Sequence, residues 1–139
     1  MILKSFELNK LNLNNHNFYL FYGDNEGFKD EVIKNLFGKN YLDKIHRYEE
    51  KEILDNTNNF FNTVLTKSFF DNEKLIIINR ATDKIREVVE ELIKKNLEDI
   101  KIILNSKNLE KKSTLRKIFE KEKSTICVPF YEDNNQTLN

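Results

Sequence analysis

Apolar and polar positions alternate along this chain in blocks, and the block lengths predict strands and helices in turn. Phe18 to Tyr22 is a continuous apolar and aromatic run that stops at the turn cluster Gly23-Asp24-Asn25. An unbroken run of this length predicts a strand buried on both faces. Phe28, Val32 and Leu36 follow at helical spacing with Ile33 and Phe37 beside them, and Gly38 is placed to close that helix as a left-handed cap. Ile45 to Tyr48 predicts a weaker strand. Asp55 is a candidate N-cap for a helix with the stripe Phe60, Phe61, Val64 and Leu65.

The same alternation continues to the end. Lys74 to Asn79 holds the strand core Leu75-Ile76-Ile77-Ile78. Thr82 or Asp83 starts a helix with the core face Ile85, Val88, Val89, Leu92 and Ile93. Ile102-Ile103-Leu104 predicts a strand, Leu115, Ile118 and Phe119 a helix, and Thr125 to Val128 a last strand stopped by Pro129. Ile2 to Leu13 is ambiguous, with a short strand and a helical turn both compatible. Strands alternating with helices of this length imply βαβ units. Their right-handed crossovers place helices on both sides of the sheet. The expected fold class is therefore α/β, a three-layer domain around a mostly parallel sheet.

Composition narrows the function classes. The 139 residues fit one domain, and eleven Phe and five Tyr supply its core. The 23 basic and 23 acidic residues cancel, so a dedicated DNA-binding surface is not expected. Cys127 is the single cysteine, which points to a reducing compartment and a core thiol. The start lacks an apolar signal core, and no run has the length of a membrane span, so the expectation is a cytoplasmic chain without a membrane partner. His16 and His46 have no ligand spacing around them, and no metal is expected. No catalytic constellation emerges. The polar tail from Tyr131 reads as the start of a further segment.

One turn carries a candidate chemistry. Gly23-Asp24-Asn25-Glu26-Gly27-Phe28-Lys29-Asp30 lies between a strand and a helix, where a phosphate-binding loop of pattern G-x-x-x-x-G-K-[ST] would sit. Gly23 and Lys29 match it. Phe28 replaces the second glycine, where backbone must approach phosphate closely. Asp30 replaces the Mg²⁺-binding hydroxyl. Asp24, Glu26 and Asp30 bring negative charge to the place of the phosphates, and like charges at about 4 Å cost roughly 4 kcal/mol at an effective dielectric of 20. The strand Leu75 to Ile78 ends in Asn79-Arg80, without the acidic residues that would help to hold a metal–nucleotide complex. The expectation is a degenerate P-loop that binds no nucleotide and needs no cofactor.

A second feature is the aromatic pair Phe69-Phe70 between polar flanks, at a helix end or loop. Exposed aromatics with a polar rim often mark a partner site; burial under the sheet edge is the alternative. Lys111, Lys112, Arg116, Lys117, Lys121 and Lys123 cluster around one helix, interleaved with Glu110, Glu120 and Glu122. This reads as a solvated face, with contact to DNA or a neighbouring subunit as the sharper alternative.

The order of these segments resembles the delta subunit of the bacterial DNA polymerase III clamp loader. The resemblance rests on Phe18 to Asp24, then Ser68-Phe69-Phe70 before Lys74 to Ile78, then Ile102 to Glu120 and Val128-Pro129-Phe130-Tyr131. It covers nearly the whole chain, and the order of the motifs carries it. It implies an AAA+-like P-loop NTPase fold with a degenerate P-loop over residues 1–139, the clamp-binding N-terminal domain, with the lid and collar domains absent. It implies that the domain binds and helps open the sliding clamp (beta) during DNA replication. The clamp-binding residues would be Leu65, Ser68, Phe69 and Phe70. The domain would not be an enzyme by itself; polymerase activity would belong to the holoenzyme. Other loader subunits would bind through the missing domains, and DNA only indirectly. A divergent P-loop NTPase using Lys29 and a nucleic-acid adaptor using the basic helix are the alternatives.

Overall fold

The computed structural model describes residues 1–10, 16–41, 44–70, 74–95, 97, 100–122 and 124–131, with the side chains of residues 6, 9, 10 and 67–70 outside the description. Among the described residues, five strands form one sheet: β1 (Phe18–Tyr22), β2 (Ile45–Glu49), β3 (Lys74–Asn79), β4 (Ile100–Ser106) and β5 (Thr125–Pro129). The helices are α1 (Glu26–Phe37), α2 (Glu50–Asp55), α3 (Thr57–Phe70), α4 (Arg86–Lys95) and α5 (Thr114–Lys121). The strand order is β2-β3-β4-β1-β5, and every pairing is parallel. The expected three-layer α/β domain is therefore present, with an all-parallel five-stranded sheet. The ambiguous N-terminal segment splits as its pattern allowed: Ile2 bridges Cys127 at the β5 edge, and Ser5–Lys10 forms a 3-10 turn.

The continuous apolar runs are explained by burial on both faces. Phe18, Leu20, Tyr22, Ile76, Ile78, Ile102 and Leu104 face the layer of α2 to α5, against Phe60, Val64, Val89, Leu92, Leu115 and Phe119. Tyr19, Phe21, Leu75, Ile77, Ile103 and Val128 face the other way, against Ile33 and Phe37 of α1 and against Leu8 and Tyr41. Cys127 is buried in the first of these cores, and burial pushes its thiol up to about 12. It is a core thiol, as its strand context predicts.

Three local expectations are corrected. Asp55 does not cap α3; it ends α2, a short helix absent from the apolar pattern, and the Asn56 side chain accepts from the Asn59 amide instead. Gly38 follows α1 with right-handed dihedrals (φ −56°), so the helix closes without a left-handed cap. Leu65 leaves the core stripe: Phe60 and Val64 are buried, Phe61 half-buried, and Leu65 is 37% exposed.

Two carboxylates tie the loops of the helical layer. Glu50 is buried and accepts from the Thr82 amide at 2.6 Å and the Thr82 hydroxyl at 2.9 Å, joining the start of α2 to the loop after β3. Thr82 in turn caps the 3-10 turn Asp83–Ile85 that leads into α4. Asp83 accepts from the Ser113 hydroxyl at 2.6 Å and the Leu115 amide at 3.1 Å, at the start of α5. Burial pushes its carboxyl up, but hydrogen bonds from Ser113, Leu115 and Thr114 outweigh that and hold it below the usual carboxylate range. Because the folded value is depressed, the stabilisation is present above the unfolded value near 3.8 and is lost as pH falls through the folded one. Asp83→Ala should cost about 1 kcal/mol in urea unfolding at pH 7. That difference from the unsubstituted chain should shrink below about pH 4.

Candidate functional site

The degenerate loop sits at the carboxyl end of β1, between the ends of β4 and β5. Gly23 has φ +128°, a conformation that L side chains avoid, and a Cβ there would lie 2.0 Å from the Phe130 carbonyl oxygen. This glycine is required by the close passage of the chain after β5. Asn25 caps α1, with its side chain accepting from the Phe28 amide at 3.2 Å and its carbonyl from the Lys29 amide at 3.1 Å. The Gly23 amide donates to Ser106, the Asn25 amide to Phe130 and the Glu26 amide to Asp24. Five amides that a phosphate cradle could draw on are thus engaged within the chain.

Lys29 is the most informative residue here. Its side chain is fully buried, and Nζ donates to the carbonyls of Gly23 and Ser106, both at 2.8 Å, and to the Glu26 carboxylate at 2.7 Å. An ammonium has three donors, and all three are used. The lysine therefore pins the turn after β1 to the end of β4. Phe28 is 38% exposed, and its ring meets Phe130 edge-on at 5.3 Å. Asp30 and Asp24 are exposed.

Beside this turn, a crevice of ≈ 350 Å³ lies outside the strand ends, lined by Glu26, Glu49, Asn79, Arg80, Asn105, Ser106 and Lys107. Asn105 Nδ2 donates to Glu26 at 3.3 Å and to the Asn79 side chain at 3.2 Å. Arg80 holds a left-handed backbone (φ 56°) and pairs with Glu49. Asn79 and Arg80 stand at the end of β3. A larger groove of ≈ 820 Å³ runs between α1 and β2, with Ile33, Lys34, Ile45 and Arg47 among its walls. Among the described residues, no group of three His, Cys, Asp or Glu side chains could hold a metal ion.

The second candidate region is the end of α3. The helix docks through Phe60 and Val64, with Phe60 edge-on to Tyr48 at 5.1 Å and Lys95 over the Phe61 ring at 6.0 Å. Its backbone is helical to Phe70. Positions 69 and 70 come one turn after Leu65 and Thr66, both exposed, so they fall on the same helix face. The side chains of Ser68, Phe69 and Phe70 lie outside the described residues.

The basic helix α5 is less free than its composition suggests. The Arg116 guanidinium stacks over the Tyr22 ring at 4.9 Å and donates to the Leu109 carbonyl and to Glu120, each at 2.8 Å. Lys112 pairs with Glu110 at 3.5 Å. Lys117 and Lys121 are exposed, and Lys123 lies outside the described residues.

Sequence reasoning missed two contributors, Glu50 and Ser106. A glutamate beginning a short helix and a serine ending a strand carry no signal until the loops that meet them are placed. Among the described residues, no helix is long and apolar enough to cross a membrane. No curated protein matches the chain. The profile of the family described as DNA polymerase III, delta subunit, matches residues 19–129, from the first strand to the last. That span is most of the chain, and the chain therefore belongs to the delta-subunit family of DNA polymerase III.

Proposed function

We propose that this domain grips the sliding clamp by the C-terminal end of α3 and that its degenerate P-loop binds no nucleotide. The family's role is clamp loading in DNA replication, and its members are components of the loader. The observation that carries the reading is the register of α3. The helix runs to Phe70, and positions 69 and 70 continue the face that Leu65 and Thr66 turn to solvent. An aromatic pair on such a face supplies the kind of anchor that fills a pocket on a partner. Leu65 and Ser68 would complete the contact.

The loop geometry supports the second half of the proposal. A phosphate would have to displace two carbonyls and a carboxylate from Lys29 and compete with the Asn25 cap. The strand order, with β1 between β4 and β5 and the glycine turn at its carboxyl end, supports an AAA+-like scaffold for this loop. In this reading the domain has no catalytic role, and energy for clamp loading enters through other subunits.

The test is a pair of titrations on the native subunit. Surface plasmon resonance should show saturable binding to the sliding clamp of the same organism. Calorimetry with Mg-ATP should give no heat of binding at millimolar nucleotide. Absence of clamp binding would remove the first half; micromolar ATP binding would remove the second.

A further inference from the structure

The entry to β1 is tied to the start of β4 through His16 and Asn17. The Asn17 carbonyl accepts from the Ile102 amide at 2.8 Å, and the Asn17 side-chain amide donates to the Leu97 carbonyl at 3.1 Å. Lys101 is buried, and its Nζ donates to the His16 carbonyl at 2.8 Å and to Asn17 Oδ1 at 2.9 Å. The Tyr19 hydroxyl donates to the same His16 carbonyl at 2.8 Å. The His16 imidazole has one defect in this setting: Nδ1 is buried and has no hydrogen-bond partner. The ring is hydrogen-bonded to the Ser124 backbone through its other nitrogen. A second proton on the ring would make Nδ1 a buried donor without an acceptor, which is costly. It would also add a positive charge that the Lys101 ammonium repels.

We infer that His16 is an acid-sensitive latch: a proton gained there loosens the entry of β1 from the start of β4. The groups set against the ring are the Lys101 ammonium from β4, the Ser124 backbone just before β5 and the amino group of Met1; among the described residues, no carboxylate joins them. Burial lowers the imidazole from its ordinary 6.5, and the Lys101 charge lowers it further. The hydrogen bond to Ser124 opposes them, and the Met1 amine adds to the lowering. The folded value is therefore depressed. Well above 6.5 the ring is neutral whether the latch is closed or open, and closure is fully stable. As pH falls through 6.5 toward the folded value, the opened chain takes up the proton and the closed latch does not, so closure weakens. The chain holds two histidines, so single substitutions separate this one from His46.

The test is hydrogen exchange in the native subunit at about pH 7.5 and about pH 5.5, corrected for the intrinsic rate, in peptides that hold the amides of Phe18 to Leu20 and of Ile102 to Leu104. Protection there should fall about threefold to tenfold at the lower pH, because an opened imidazole with an ordinary midpoint near 6.5 is about ten parts protonated to one at pH 5.5. His16→Gln stays neutral at both and should remove that fall. His46→Gln, on the edge strand β2, should keep it. Equal protection at the two pH values in the unsubstituted chain overturns the inference. So does a fall of the same size in His16→Gln, or its loss in His46→Gln. Titration of the His16 imidazole by NMR in the unsubstituted chain needs no variant to fold. A midpoint below 6.5 is expected there, and one at or above it overturns the latch.

Discussion

Replacing Phe69 and Phe70 together by alanine is expected to lower affinity for the sliding clamp by at least about a hundredfold while leaving the fold unchanged. An aromatic anchor at the centre of an interface costs about 2 kcal/mol or more when truncated, and about 1.4 kcal/mol is a factor of ten. Two anchors acting together therefore exceed a hundredfold even when their effects overlap. The fold should not respond, because the pair continues a helix face on which Leu65 and Thr66 are exposed, and alanine favours helix more than phenylalanine does. Circular dichroism and thermal melting separate this from burial. A buried Phe→Ala costs about 3–5 kcal/mol, which would lower the melting temperature of a domain this size by more than about 10 °C. A melting drop of that order would place the pair in the core and end the anchor reading.

Lys29→Met is the substitution with the largest expected effect on stability, about 2–4 kcal/mol in urea unfolding. Methionine keeps the length of the stem and loses the three hydrogen bonds to Gly23, Ser106 and Glu26. Two effects oppose each other. Removing an ammonium from a closed site relieves its desolvation, which by itself can favour the apolar residue. Against this, the turn after β1 loses its link to the end of β4, and carbonyls in a dry site lose a charged donor. The second effect wins where all three donors are used and the ammonium is fully buried, as here. Glu26→Gln should matter much less, because that carboxylate is 55% exposed. If Lys29→Met left stability unchanged and instead removed an ATP-binding signal, the lysine would be a phosphate ligand and the loop a working one.

These two cases mark different depths of legibility. Phe69-Phe70 is visible in the sequence as an aromatic pair outside the core stripe, and the structure adds the helix register that puts it in line with Leu65. Lys29 is visible only as one surviving letter of a phosphate-loop pattern. Its role as an internal pin appears when Ser106, 77 residues away, is brought to its ammonium.

By itself the sequence determined the strands, most of the helices and the layered class. Each central strand is buried on both faces, and such burial writes an uninterrupted apolar run that needs no knowledge of its neighbours. The helices with a full apolar stripe are equally local, since a period of 3.6 is a property of one segment. Tertiary structure decided what was held together across segments. The helix α2 has few apolar residues and is secured by Glu50 on Thr82, from a loop beyond β3. Asp83 serves α5 rather than its own helix. Gly23 is required by Phe130, and Lys29 is consumed by Ser106. Gly23 answers to a steric approach that only the folded chain creates, and the other three share one physical reason. A polar group's partner is chosen by where the backbone brings acceptors and donors together, and no periodicity within one segment records that.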